Sequence, residues 1–114
     1  MSDLARFESR RAGDTQHVRV IGEVDLSNAR ALLDAVAAAV PDEAAALVLD
    51  LTSTTYLDSA GIALLFGLAA TLRRHQQELR LVVISTSPIA RMVALTGLAS
   101  AVPTHESIEA ATAD

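Results

Sequence analysis

The sequence predicts a single α/β domain, and three observations indicate this. Strand-like and helix-like hydrophobic patterns alternate along the chain in the order β-β-α-β-α-β-α-β-α. The apolar runs at 47–51 and 81–84 are nearly continuous, which is typical of strands covered on both faces. The 114 residues suffice for one core, and no repeat or composition shift divides them. We therefore expect residues 1–114 to form one domain, with a mixed sheet of about four to five strands and helices packed mainly on one side.

The first two strands are predicted to form an antiparallel hairpin. Residues 17–24 alternate with period two, placing Val18 and Val20 on one face and Arg19 on the other. A weaker alternation covers 4–10, and the turn-rich segment 12–15 joins the two.

Helices are predicted after the second and third strands. Ser27 is a candidate N-cap for the first helix, and Pro41 ends it. The second helix begins at the Asp58-Ser59 pair. Both have apolar residues at three- and four-residue spacing, namely Leu32, Leu33, Val36 and Val40 in the first and Ile62, Leu65, Ala69 and Leu72 in the second.

The last third of the chain is predicted to hold two further helices and a strand. Ser87 is a plausible N-cap, with Pro88 as the first helical residue, and Gly97 suits the left-handed position after that helix. A short strand is expected at 101–102 and a terminal helix from about Glu106.

Composition excludes several function classes. A net charge of −5, scattered arginines and 3% aromatic residues argue against a direct nucleic-acid partner. The absence of cysteine rules out disulfides and thiolate sites. The three histidines, His17, His75 and His105, show no ligand spacing, so we expect surface histidines, no metal and no cofactor.

The sequence also indicates a cytoplasmic protein without membrane insertion. No basic segment followed by an apolar stretch opens the chain, so no secretory signal is expected. The longest apolar stretch, 60–70, is shorter than the roughly 20 residues that a membrane span needs.

The tetrapeptide Asp58-Ser59-Ala60-Gly61 is the most informative feature, because it places a serine where a helix begins. Unpaired amides and the positive end of the helix dipole make such a position favourable for a phosphate. The alternative is that Asp58 or Ser59 merely caps the helix. Gly61 is expected to leave the backbone around Ser59 uncrowded.

Other polar residues border the same predicted sheet edge. Asp25 follows one strand, so its loop can lie beside that of Ser59, where it either takes part in function or supports a helix cap. Asp50 is expected to pair a loop amide. Three further hydroxyls, those of Ser53, Thr54 and Thr55, precede the tetrapeptide and are alternative acceptors.

Four segments together resemble the STAS domain family, specifically its single-domain anti-sigma factor antagonists. They are 22–27 (GEVDLS), 49–51 (LDL), 58–62 (DSAGI) and 95–98 (LTGL), in the family's order and over nearly the whole chain. The departure is Ala60, which offers no second hydroxyl.

The resemblance implies a binding switch, not an enzyme. Its partners would be an anti-sigma factor serine kinase, bound by the unphosphorylated protein so that a sigma factor is released, and a PP2C-type phosphatase that removes the phosphate. By that match the phosphorylation site is Ser59, and Asp25 lies beside it. The implied partner-binding residues are Asp25, Ser27, Asp58, Ser59, Ala60 and Gly61.

Rival functions remain at this point. A serine hydrolase using Ser59 would need a histidine base and a nucleophile elbow, and nucleotide binding would need a glycine-rich loop; neither motif is present. Within the family, the chain could be a subunit of a stress-signalling assembly or of a lipid-transport ATPase complex.

Overall fold

The computed structural model describes residues 4–112 as a mixed α/β domain. Its strands are β1 (Ala5–Ala12), β2 (Thr15–Val24), β3 (Ala46–Asp50), β4 (Thr54–Leu57), β5 (Glu78–Val82) and β6 (Thr104–His105). Its helices are α1 (Ala29–Ala38), α2 (Ser59–Arg74), α3 (Pro88–Leu95), α4 (Leu98–Ala101) and α5 (Ile108–Thr112). The predicted fold class is confirmed, with six strands in the sheet where about four to five were expected.

The sheet runs in the order β1-β2-β3-β5-β6. β1 and β2 form the predicted antiparallel hairpin, in which only Gly13 and Asp14 connect the paired residues Ala12 and Thr15. β2 pairs in parallel with β3, β3 with β5, and β5 with β6. These parallel pairings require the helical crossovers that the sequence pattern predicted.

Strand β2 changes its neighbour along its length. Residues 15–19 pair with β3, whereas residues 22–24 pair in parallel with β4, and a bulge separates Gly22 from Glu23. Gly22 has a φ of +106°, and a Cβ there would collide with the Leu4 carbonyl. Glycine at this position is therefore what lets β2 bend from one neighbour to the other.

The main core lies between one face of the sheet and helices α1 to α4. Side chains from all three central strands are fully buried there, among them Val18, Leu47, Leu49 and Leu81. Of the helices in residues 4–112, α5 alone lies on the opposite face, where Ala111 and Ile108 pack on Val48 and Val82. The prediction that helices pack mainly on one side is thus confirmed.

The caps of α3 follow the sequence prediction. The Ser87 hydroxyl accepts the Ala90 amide at 3.1 Å, and Pro88 is the first helical residue. Gly97 follows the helix with a φ of +83°, the left-handed conformation expected there.

Two predictions about strands were wrong. The strand expected at 101–102 is instead Thr104–His105, because Gly97 starts a second helix, α4, that includes Ala101. The short strand β4 was missed, since its four residues were treated as a loop. Its sequence of two threonines, a tyrosine and a leucine does suit a strand, but it is too short to show a clear period.

The prediction for His17 was also wrong. This side chain is 7% exposed, because β2 lies between β1 and β3 and its second face is partly covered. His75 is exposed and His105 is half-buried. None of the helices in residues 4–112 combines the length and hydrophobicity needed to cross a membrane.

Candidate phosphoacceptor site

The carboxyl ends of β2 and β4 lie side by side and bring two loops together. Val24 pairs with Leu57, and the Asp58 amide donates to the Val24 carbonyl at 3.3 Å. Residues 25–28 leave β2 towards α1, while Asp58 leads from β4 directly into α2. The sequence prediction that the loops of Asp25 and Ser59 are neighbours agrees with this arrangement.

Asp58 fastens these two loops with its carboxylate. One oxygen, Oδ1, accepts the Gly61 amide at 3.0 Å and so caps α2. The other, Oδ2, accepts the Leu26 amide at 3.1 Å, in the loop after β2. Of the two capping alternatives, Asp58 and not Ser59 is therefore the N-cap of α2.

Ser59 is the first residue of α2 and is exposed. Its hydroxyl makes no hydrogen bond within residues 4–112, and the amides of Ser59 and Ala60 likewise donate to none of them. A hydroxyl held at a helix start without an internal partner is accessible to the active site of another protein. The same two amides are free to interact with an anion.

Asp25 forms a compact turn with Ser27. Its Oδ1 accepts both the Ser27 hydroxyl and the Ser27 amide, the latter at 2.9 Å. These hydrogen bonds, the hydroxyl first, hold the pKa of the Asp25 carboxyl below its ordinary value. Asp25 therefore presents a charged carboxylate at an exposed turn beside the Ser59 loop.

The expected N-cap of α1 was wrong, because Asn28 and not Ser27 occupies that position. Asn28 is buried and ties the loop together through its amide group. Its Oδ1 accepts the Asp25 amide at 2.9 Å, and its Nδ2 donates to the Glu23 carbonyl at 2.8 Å. An asparagine just before a helix was the available signal, since Asn is a preferred residue there.

The reason given for Gly61 was wrong as well. Gly61 is buried, and a Cβ on it would lie 2.5 Å from Leu57 Cδ1 and 3.3 Å from Val24 Cγ1. The glycine therefore allows α2 to approach the ends of β4 and β2, which fixes Ser59 relative to the Asp25 turn. Ala60 is half-buried.

The alternative acceptors upstream are less available than Ser59. Thr54 is buried, and its hydroxyl donates to the Val20 carbonyl at 2.9 Å. Ser53 is half-buried, whereas Thr55 is exposed. Asp50, as expected, pairs a loop amide, accepting from Thr52 N at 2.9 Å.

An apolar surface borders Ser59. Leu26 is 81% exposed and belongs to the loop that Asp58 holds against the start of α2. On α2, the outward positions three to eight residues after Ser59 include Ala63, Phe66 and Gly67, all exposed. We call Leu26, Ser59, Ala63 and Phe66 the α2 surface.

Within residues 4–112, the site offers an exposed hydroxyl without a histidine bonded to it. No histidine in the part of the chain that is described hydrogen-bonds Ser59, so the Ser-His pair of a hydrolase is not formed. No group of three potential metal ligands occurs in residues 4–112. The fold and site define a small α/β domain with an exposed serine beside an exposed apolar surface.

Comparison with known proteins assigns the family. The family model described as "Mlab, STAS domain" matches residues 7–103. The chain therefore belongs to the STAS domain family, as its four sequence segments suggested.

The related proteins are anti-sigma factor antagonists. The chain is 33% identical to the anti-sigma-B factor antagonist of Listeria monocytogenes over 87 residues, covering 75% of either protein. It is 36% identical to the anti-sigma-F factor antagonist RsfB of Mycobacterium tuberculosis over 70 residues, which are 61% of this chain and 55% of that protein. The crystal structure of an anti-sigma factor antagonist from Mycobacterium paratuberculosis superposes with a TM-score of 0.82 at 28% identity, covering 94% of this chain and 90% of that one.

Proposed function

We propose that the protein is an anti-sigma factor antagonist whose binding is switched by phosphorylation of Ser59. Unphosphorylated, it binds an anti-sigma factor that is a serine kinase, and a sigma factor is released. Phosphorylation by that kinase weakens this binding, and a PP2C-type phosphatase restores it. The protein acts by binding in the cytoplasm and carries out no catalysis of its own.

The observation that carries this proposal is the state of Ser59. It is exposed at the start of α2, its hydroxyl is bonded to nothing within residues 4–112, and it borders apolar side chains. The similarity to anti-sigma factor antagonists supports the choice of partner.

Electrostatics supports phosphorylation as the off signal. A phosphate adds a charge of about −1.5 to −2 at neutral pH. It would enter a site that already holds the Asp58 carboxylate and the charged Asp25 carboxylate. A partner that covers the α2 surface would have to desolvate this added charge or face it with its own acidic groups, and affinity would fall.

The proposal is tested by capture and by phosphate mapping. The unphosphorylated protein, used as bait, should retain a kinase-type anti-sigma factor; retention of a transport ATPase or a large stress-signalling assembly would favour those other STAS functions. Incubation with the retained kinase and Mg-ATP should then phosphorylate Ser59, and Ser59→Ala should bind but resist phosphorylation. Thr55→Ala is the matched control, since it removes an exposed hydroxyl four residues upstream. A phosphate on Ser53, Thr54 or Thr55 with Ser59 unmodified would contradict the acceptor assignment.

A further inference from the structure

A second candidate site lies on the sheet face opposite the main core. Because Val18 and Val20 of β2 point into that core, His17 and Arg19 point to the other face. There α5 contacts β3, β5 and β6, so the β1–β2 end of this face stays open beside it. A cavity of about 290 Å³ lies at this open end of the sheet face, next to α5. It is lined by His17, Arg10, Arg19, Glu8, Asp50 and Ile108.

His17 lines this cavity and carries a buried ring nitrogen without a hydrogen-bond partner. The side chain is only 7% exposed, and its Nδ1 has no hydrogen-bond partner. Its other nitrogen, Nε2, lies 3.0 Å from the oxygen of the Thr15 hydroxyl. That hydroxyl donates its proton to the Ala12 carbonyl at 2.8 Å. Nε2 must therefore be the donor, and neutral His17 offers Nδ1 as an acceptor.

Arg10 supplies an exposed cation, without an internal partner in residues 4–112, beside His17. It is paired with His17 across the β1–β2 ladder, and its guanidinium has no hydrogen bond or ion pair within residues 4–112. Burial first, and then the Arg10 charge, lower the pKa of His17, which keeps the ring neutral at pH 7. Arg19, by contrast, is shared between Asp50 at 3.9 Å and Glu8 at 4.0 Å.

The unmet groups define the chemistry of an occupant. The Arg10 guanidinium would pair with an anion, and His17 Nδ1 would accept a hydrogen bond from an O–H or N–H donor. The carboxylates of Glu8 and Asp50 disfavour a doubly charged ligand, and Ile108 offers a contact for a short apolar chain. The volume suits a small molecule, since ligand pockets typically begin near 300 Å³.

We propose that this cavity binds a small hydroxycarboxylate, with its carboxylate on Arg10 and its hydroxyl donating to His17 Nδ1. The site is separate from the α2 surface, and the proposal does not depend on the Ser59 switch.

The test is a titration of the full chain with four probes. Binding is measured by calorimetry and by the side-chain ¹⁵N NMR signals of His17. The probes are 3-hydroxybutyrate, butyrate, which lacks the hydroxyl, 1,3-butanediol, which lacks the carboxylate, and inorganic phosphate. We expect saturable binding of 3-hydroxybutyrate at least about tenfold tighter than that of butyrate or the diol. The Nδ1 signal should shift with 3-hydroxybutyrate far more than with butyrate.

Two variants assign the binding to this cavity. Arg10→Gln should weaken 3-hydroxybutyrate binding at least about tenfold. Arg11→Gln is the matched control, because it removes the same charge from the next residue of β1, where Arg11 bonds the Gly13 carbonyl instead. His17→Phe, checked for folding by circular dichroism, should abolish the preference for the hydroxyl.

Several results would overturn the proposal. They are no saturation below roughly 10 mM for 3-hydroxybutyrate, equal affinity for butyrate, tighter binding of inorganic phosphate, or equal effects of Arg10→Gln and Arg11→Gln. The ¹⁵N readout uses the unaltered protein, so it decides the role of Nδ1 even if His17→Phe fails to fold.

Discussion

At the residue scale, the two aspartates beside Ser59 have different tasks. Both carboxylate oxygens of Asp58 accept hydrogen bonds within the domain, from the Gly61 and Leu26 amides. Within residues 4–112, the Asp25 carboxylate accepts hydrogen bonds from Ser27, in its own exposed turn, so its charge is available to a partner. Asp58 is therefore the structural residue of the pair, and Asp25 the better candidate for recognition.

We expect Asp25→Ala to reduce phosphorylation of Ser59 or binding of the kinase-type partner while the domain stays folded. The physical reason is that the carboxylate organises a local turn and caps no helix amide. Kinase assays and a thermal melt measure the two effects, with Asp34→Ala, an exposed aspartate on α1, as control. Unfolding of Asp25→Ala at room temperature would show that the role is structural.

His17 makes stability depend on pH. Its pKa is lowered in the folded chain from the ordinary value of 6.5, by burial and by Arg10, and its other charged neighbours in the cavity are Arg19, Glu8 and Asp50. As pH falls through 6.5, the unfolded chain binds a proton at His17 that the folded chain resists, so stability falls. Urea unfolding between pH 7.5 and 5.5 should show this loss, and His17→Gln should reduce it. An unchanged pH dependence in His17→Gln would contradict the assignment.

At the element scale, helix α2 is positioned by its glycine as much as by its cap. Gly61 lies where the helix meets Leu57 and Val24, whereas Gly67, two turns further, has nothing within 4 Å of an added Cβ. The same substitution is therefore expected to be less favourable at Gly61 than at Gly67.

We expect Gly67→Ala to stabilise the domain by about 0.5–1 kcal/mol, the usual gain over glycine inside a helix. Gly61→Ala gains the same propensity but crowds buried neighbours, which typically costs about 1–3 kcal/mol. It should therefore be the less stable of the two variants in urea unfolding. Equal stability would show that Leu57 moves aside at little cost.

The elements that sequence patterns predicted are those with long apolar periods or strong turn residues. The hairpin, α2 and the caps of α3 at Ser87 and Gly97 belong to this group. Strand β4 was missed because four residues show too little periodicity, and its pairing with β2 depends on the bulge at Gly22, a tertiary feature. Ser59 and Asp25 of the candidate site were chosen from the sequence, but the anchoring by Asn28 and the close packing at Gly61 depend on contacts between elements.

At the scale of the whole molecule, the proposed phosphorylation site and the core are separate. α2 buries Ile62, Leu65 and Leu72 in the main core, while Ser59 lies at its exposed start. Charge added to Ser59 can therefore change the surface without disturbing the packing.

We expect phosphorylation of Ser59 to leave the fold nearly unchanged. Circular dichroism spectra and melting temperatures of the phosphorylated and unmodified proteins should agree closely. Ser59→Asp, which imitates part of the charge, should behave in the same way. A large drop in melting temperature on phosphorylation would mean that the modification acts by unfolding α2.

The proposed control of partner binding by phosphate on Ser59 can be measured by titration. Unmodified and Ser59-phosphorylated protein are titrated against the kinase-type anti-sigma factor at one ionic strength, with Ser59→Ala as the unphosphorylatable reference. We expect the phosphorylated protein to bind at least about tenfold more weakly, a difference of about 1.4 kcal/mol, because its added charge lies beside Asp58 and the apolar α2 surface. Equal affinity of the phosphorylated and unmodified proteins would contradict the account.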